Sequence, residues 1–516
     1  MHKIVFYFYF IIRSNFQFDT RIRGRSICFN FQDSDKLPFV AAWNAPLDMC
    51  EIKYNVSVNL DPLFQIHGSP RANWTGQNVT IFYANRLGYY PRYTAQGEAV
   101  HGGVPQNGSL DVHLFKAYRD IAHFIPAEDF RGLAVIDWEF WRPQWSRNWH
   151  KKDVYRRKSR ELTAKAYLNV TAAQELARRR FEKSARAFMQ RTLQLGTRLR
   201  PNGLWGFYLY PDCHNYNLHE SGYTGLCPLM ESLRNDELRW LWNSSTALYP
   251  SITILKSHSN SVANLRFARH RVREALRVAS LTSNDYDLPT YVYLRLGYRD
   301  GPLTFLTTKD LVHTIGESAA LGAAGFVIWG DLNLTMSKVR WFLSRRLGQY
   351  ITNVTRAAEF CSDFLCQNNG RCVRRNPSAR HYLHLDAATY SIRPAAGDRG
   401  FVVSGHHSPQ ALNMLAERFR CHCYEGHLGE RCDSANEVLE EVDVDDEDDG
   451  GDEASTGVCE HARIPPPRPT NPPELDWQQI VCLHRGGKSA YYFCRCHRSS
   501  ICTVSFYFVR VSSFKH

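Results

Sequence analysis

The chain has 516 residues, 44% of them hydrophobic, with 63 basic and 51 acidic side chains and a net charge of +12. That is length and apolar content enough for one large globular domain with satellites, and no apolar run reaches the ~18 residues a bilayer-spanning helix needs. Eleven of the acids lie in residues 437–453, EVLEEVDVDDEDDGGDE, so elsewhere 63 basic residues face 40 acidic ones, a surface suited to a polyanion: nucleic acid, anionic lipid or acidic polysaccharide. Solubility alone is the plain alternative.

Residues 1–36 open with MHKIVFYFYFIIR, whose basic start and short apolar core resemble a secretory leader, although no small-x-small cleavage site follows promptly. From 37 to 352 short apolar runs alternate with polar or helical stretches. The runs are LPFVAAWN (37–44), NVTIFY (78–83), GLAVIDWEFW (132–141), GLWGFYLYP (203–211), YPSITIL (249–255), TYVYLRLGY (290–298) and AAGFVIWGD (323–331). Most are continuously apolar, as parallel strands covered on both faces are. The longest helical pattern begins at Thr171, with Gln174 placed for a capping box and Ala177, Phe181, Ala185, Phe188, Leu195 and Leu199 on one face. This α/β alternation predicts a (β/α) barrel, TIM-like and of seven or eight strands, with a doubly wound sheet as the alternative.

Residues 357–435 change texture. Cysteines fall at 361, 366, 372, 421, 423 and 432, in CQNNGRC and CHCYEGHLGERC. The spacing is that of an epidermal-growth-factor-like (EGF-like) module interrupted at 373–420. It favours the pairs Cys361–Cys372, Cys366–Cys421 and Cys423–Cys432 among the 15 that six cysteines allow. A zinc site is the rival reading, disfavoured because histidine is not interleaved at ligand spacing. Residues 436–475, with the acidic run and RIPPPRPTNPPE, read as a linker, and 476–516 show no interpretable core pattern. Fifteen cysteines and eight N-x-S/T sequons (Asn55, Asn73, Asn78, Asn107, Asn169, Asn243, Asn333, Asn353) point to an oxidising, secretory route ending outside the cell, at its surface or in the lysosome.

The segment richest in chemistry is GLAVIDWEFWRPQW (132–145). On one strand Asp137 and Glu139 project to the same side, at the C-terminal end where barrel enzymes keep their catalytic groups. Two adjacent carboxylates do not both ionise cheaply, so one keeps its proton near neutral pH, the arrangement that glycosidic cleavage requires. Trp138, Phe140, Trp141 and Trp145 offer flat faces for sugar rings. The plain alternative is an edge strand with two solvated acids.

This segment resembles the signature of the animal hyaluronidases, glycoside hydrolase family 56. So, in the family's order, do WNAP (43–46), TIFY (80–83), LGYYPRY (87–93), GGVPQNGSL (102–110), RPNGLWGFYLYPDCHNY (200–216), ALYPSI (247–252), GESAALGAAGFVIWGDLN (316–333) and CVRRNPSA (372–379). The last, with LHL, looks most like the cell-surface vertebrate branch. The resemblance implies an endo-β-N-acetylhexosaminidase that cuts hyaluronan with retained configuration. Glu139 is then the acid and later the base, the substrate's own 2-acetamido oxygen is the nucleophile, and Asp137 steadies the acetamido N–H. It further implies substrate contacts at Tyr83, Tyr208, Trp329, Asp212, Tyr291 and Asn44, a Cys213–Cys227 disulfide, and a positive groove that attracts the uronates of hyaluronan. Chondroitin sulfate is a further candidate partner. No cofactor, metal or nucleic acid is expected, the chain is expected to be a monomer, and membrane attachment is left open.

Two positions depart from the family. After PSI it usually has an active-site tyrosine, where this chain has Thr253. Cys50 matches a cysteine that normally pairs near 336, where this chain has Met336, so Cys50 is free or pairs with Cys28 or a tail cysteine. Two other readings therefore accompany the active hyaluronidase: a hydrolase that prefers chondroitin, and a weakly active or inactive glycan-binding protein on the same scaffold.

Overall fold

The computed structural model describes residues 37–46, 59–70, 74–164, 170–282, 287–330, 336–396, 399–435, 492–496 and 502–506. The leader, the whole linker 436–475 with its acidic and proline-rich runs, Cys28 and Cys50 lie outside these residues, as does the side chain of Met336. Two compact units are resolved, Met1–Leu439 and Glu440–His516. In the second, Tyr492–Cys496 and Cys502–Phe506 form an antiparallel pair.

The first unit is mixed α/β. Its named parallel strands are β1 (Val40–Asn44), β2 (Val79–Tyr83), β3 (Leu133–Asp137), β4 (Leu204–Phe207), β5 (Tyr291–Arg295) and β6 (Gly325–Trp329). Pairing runs β2–β3–β4 in one sheet and β1–β6–β5 in another, with Ile66–His67 on the free side of β1. Between β4 and β5 the expected strand at 249–255 is reduced to three isolated parallel bridges, Tyr208↔Tyr249, Leu248↔Thr290 and Ser251↔Tyr293. Pro250 lacks the N–H that a continuous ladder needs there.

The strands are buried on both faces, which is why their sequences read as unbroken apolar runs. Alternate residues separate into different cores. Val40, Ala42, Val79, Ile81, Leu133, Val135, Tyr249, Tyr293 and Val327 meet in one cluster, with Tyr83, Tyr208 and Trp329 packed against it. The intervening Phe82, Ala134, Ile136 and Phe207 pack with the helices Leu110–Phe124 and Val170–Leu199. The 30-residue helix begins at Val170, one residue before Thr171, and buries Ala177, Phe181, Ala185, Phe188 and Leu195 as its periodicity predicts.

Helix Gly348–Cys366 runs into the cysteine-rich segment, where Gly370–Arg374 pairs antiparallel with Phe419–Cys423. The inserted residues form a hairpin (Tyr390–Pro394 with Phe401–Gly405) and the helix Pro409–Arg418. Cys361–Cys372, Cys366–Cys421 and Cys423–Cys432 are bonded, as the spacing predicts, and Cys213–Cys227 as the resemblance implies. Fully buried Glu317 joins this segment to the rest: it accepts from Arg269 Nε at 2.6 Å and Arg374 Nη2 at 2.5 Å. Pairing on both sides is what makes a buried carboxylate tolerable. Among the described residues no helix is long and apolar enough to cross a membrane.

Candidate active site

The inward-facing side chains at the C-terminal ends of the strands form one layer. Register places Tyr83 of β2 beside Asp137 of β3, and Asn44 of β1 beside Trp329 of β6, which in turn neighbours Arg295 of β5. Tyr208, one residue past β4, completes the layer: its ring centroid lies 6.0 Å from Trp329 and 5.1 Å from Tyr293. The guanidinium of Arg295 stands 4.5 Å from the Trp329 centroid, a cation–π contact. Asn44 Nδ2 donates to Tyr293 Oη at 3.3 Å, and Tyr208 Oη donates to Ser251 Oγ at 3.4 Å. Of the residues singled out by sequence, Asp137, Tyr83, Tyr208, Trp329 and Asn44 thus come together.

β3 ends at Asp137, earlier than the sequence reading had it, so Glu139 is carried by the following loop. The reason lies in the tryptophans expected to wall the cleft. Trp138 and Trp141 are instead buried (3% and 1% exposed) in the strand–helix core. Trp138 stacks on Tyr90 with centroids 4.5 Å apart, and Trp141 Nε1 donates to Pro91 O at 2.8 Å. Trp145 packs on Phe181 and beneath Arg160, leaving Phe140 as the exposed aromatic. Drawn over by these anchors, the chain leaves Glu139 with about half its side chain in solvent (49%) while Asp137 stays mostly covered.

The pair is electrostatically unequal. Burial first, then the neighbouring Glu139 charge, push Asp137 up to about 7 against the pull of Arg142. Asp137 Oδ1 is buried without a hydrogen-bond partner among the described residues. Arg142 Nη2 lies 3.5 Å from Glu139 Oε2, and Lys152 Nζ donates to the Glu139 carbonyl oxygen. Burial, with Arg142 nearby, lowers Lys152 to about 8.

Two other sequence candidates are placed differently. Asp212 follows a cis Tyr210–Pro211 bond and forms an ion pair with Arg271 at 3.0 Å, also accepting from the His214 amide at 3.1 Å. Burial opposes its charge, yet Arg271, the amide and Arg142 outweigh it and hold the carboxyl below the usual range. Tyr291 opens β5 opposite Gly325, four residues before Arg295, or roughly 13 Å down the strand. It lines a cavity with Val40, Leu204 and Tyr424 at the other end of the strands, and Tyr293 occupies the position at the layer in its place. Both tyrosines face one side with period two, so sequence spacing could not separate them; their depth does. Sequence reasoning also passed over Arg142, Lys152, Ser251 and Arg295. Arg295 alone had a signal, being in step with Tyr291 and Tyr293.

Thr253, partly exposed, lies two residues past Ser251 on the bridged segment. The disulfide Cys213–Cys227 closes the loop after Asp212.

Comparison with known proteins agrees with the motifs. The profile of the family described as hyaluronidase matches residues 32–436. Human hyaluronidase-4 is 60% identical over 402 residues, covering 77% of this chain and 83% of the relative. Human hyaluronidase PH-20 is 43% identical over 447 residues, 85% of each. Among solved structures, bee venom hyaluronidase superposes with a TM-score of 0.52 at 30% identity, over 61% of this chain and 99% of that one, and it has also been solved in complex with a hyaluronic acid tetramer.

Proposed function

We infer that this chain, which belongs to the hyaluronidase family, hydrolyses the β-1,4 bond that follows N-acetylhexosamine in hyaluronan, with retention and through the substrate's own acetamido group. Glu139 gives its proton to the leaving glycosidic oxygen while the acetamido carbonyl oxygen closes on the anomeric carbon. Water then opens the cyclic intermediate, returning its proton to Glu139. Asp137 accepts the acetamido N–H and offsets the positive charge that develops there. In the free cleft Asp137 holds a proton up to about 7, and it passes that proton to Glu139 when the acetamido group arrives. Tyr83, Tyr208 and Trp329 hold the sugar, with Asn44 and Tyr293 bracing them.

The observation that carries this reading is the buried, unpartnered Asp137 Oδ1 beside a solvent-facing Glu139: one carboxylate lacks a donor that an acetamido N–H supplies, while the other meets an incoming chain. In support, hyaluronic acid is the ligand of the bee venom complex. Glu139→Gln tests it: hyaluronan turnover falls by roughly 10²–10⁴-fold with binding retained. Unchanged turnover sinks the assignment.

We read the parallel segments, joined through the bridges at 248–251, as a barrel over 37–352, and 357–435 as an EGF-like module followed by a linker. The four disulfides favour a secretory route. Thr253 supports a second reading, a slow or non-catalytic glycan binder, because a phenol is missing beside the acetamido pocket. Binding without chain shortening by the unaltered protein favours it, and a chondroitin arm in the same assay decides substrate preference.

A further inference from the structure

Lys152 has no part in the mechanism above, yet its ammonium is fixed on the carbonyl of Glu139, with Arg142 also at Glu139. It is carried by the short turn His150–Lys152, and the residue is partly exposed, so a ligand reaches it. Arg142 Nη1 is buried and finds no acceptor among the described residues. One cation thus stands at the carboxylate and another at the main chain of the residue that touches the leaving oxygen, and the reading above, on which this inference rests, puts a uronic acid on that side of the bond. In a 4-linked uronate the carboxylate stands on the ring carbon next to the one that bears the leaving oxygen. Substrate binding therefore brings a second carboxylate against Glu139, and a like charge there is unfavourable unless a cation answers it.

We propose that Lys152, assisted by Arg142, binds the carboxylate of the uronic acid in the leaving-group position and so selects acidic chains over neutral N-acetylhexosamine polymers. The ammonium already donates to Glu139 O, and its two remaining N–H bonds are available to the uronate.

The test compares hyaluronan with hyaluronan whose uronate carboxyls have been reduced to hydroxymethyl groups, for the unaltered protein, Lys152→Met and Lys152→Arg. Lys152→Met should raise KM for hyaluronan by roughly tenfold to a hundredfold, leave kinetics on the reduced polymer within about twofold, and be largely rescued by arginine. Equal loss on both polymers, which a structural prop for the Glu139 loop would produce, overturns the proposal, as does no loss on either. If the unaltered protein cuts neither polymer, the reading of the site fails first and this inference falls with it. Should Lys152→Met not fold, binding to the Glu139→Gln protein decides. Affinity for hyaluronan relative to the reduced polymer should fall between pH 7 and 9, as Lys152, lowered to about 8, loses its charge, whereas Asp137, which titrates at about 7, meets the acetamido group of both polymers and acts on both alike. A ratio that does not change with pH refutes the role.

Discussion

Replacing Asp137 by asparagine should stabilise the protein at neutral and alkaline pH while removing its activity. Asp137 keeps its proton in the fold up to about 7, whereas an aspartate in the unfolded chain releases it near 3.9. Between those values the folded state binds the extra proton, so stability falls as pH rises. The contribution is fully present below about pH 4 and gone above about 7. Three pH units at 1.36 kcal/mol each make this roughly 4 kcal/mol. Asparagine has nearly the shape of the protonated acid and no charge to desolvate, so the variant lacks that slope. At about 2.1 cal/mol/K of unfolding entropy per residue, a folded unit of roughly 400 residues converts the difference into about 5 °C of Tm. Thermal unfolding of both proteins from pH 4 to 9 should therefore give curves that coincide in acid and separate by several degrees in base, the variant above. In parallel, kcat/KM of the unaltered protein should fall as pH rises through about 7, where Asp137 loses its proton. Parallel melting curves, or an activity profile flat through pH 8, would refute the assignment of the buried proton to Asp137.

Thr253 stands where the resemblance puts an active-site tyrosine, so Thr253→Tyr should raise kcat/KM for hyaluronan by about tenfold, the order of one hydrogen bond; an unchanged value would mean that this position does not reach the substrate. Glu317→Gln leaves the guanidinium groups of Arg269 and Arg374 buried without their countercharge and should cost about 3–5 kcal/mol, read as a lower Tm with the cysteine-rich segment more open to protease. Converting Cys213 and Cys227 to serine removes a link between residues 14 apart in sequence, should cost about 3 kcal/mol, and should raise KM more than it lowers kcat, because the loop holds His214, whose amide donates to Asp212 just ahead of it.

Much of the chemistry is legible in the chain alone. Asp137 ends an apolar run because the strand is buried on both faces until it reaches the site, and the short cysteine spacings leave few pairings that turns can close. Alternation along β1, β2, β3 and β6 also assigns Asn44, Tyr83, Asp137 and Trp329 to one side of their strands, since side chains alternate with period two whatever surrounds them. Depth and burial are set by tertiary structure, because they depend on elements far away in sequence. Tyr291 and Tyr293 differ only in which end of the strand each occupies, and Trp138 and Trp141 are core residues because Tyr90, Pro91 and Phe181 are there to receive them. That Asp137 holds its proton up to about 7 follows from the same cause: desolvation is a property of the packed surroundings, and it reaches Asp137 at the strand end while the loop leaves half of the Glu139 side chain in solvent.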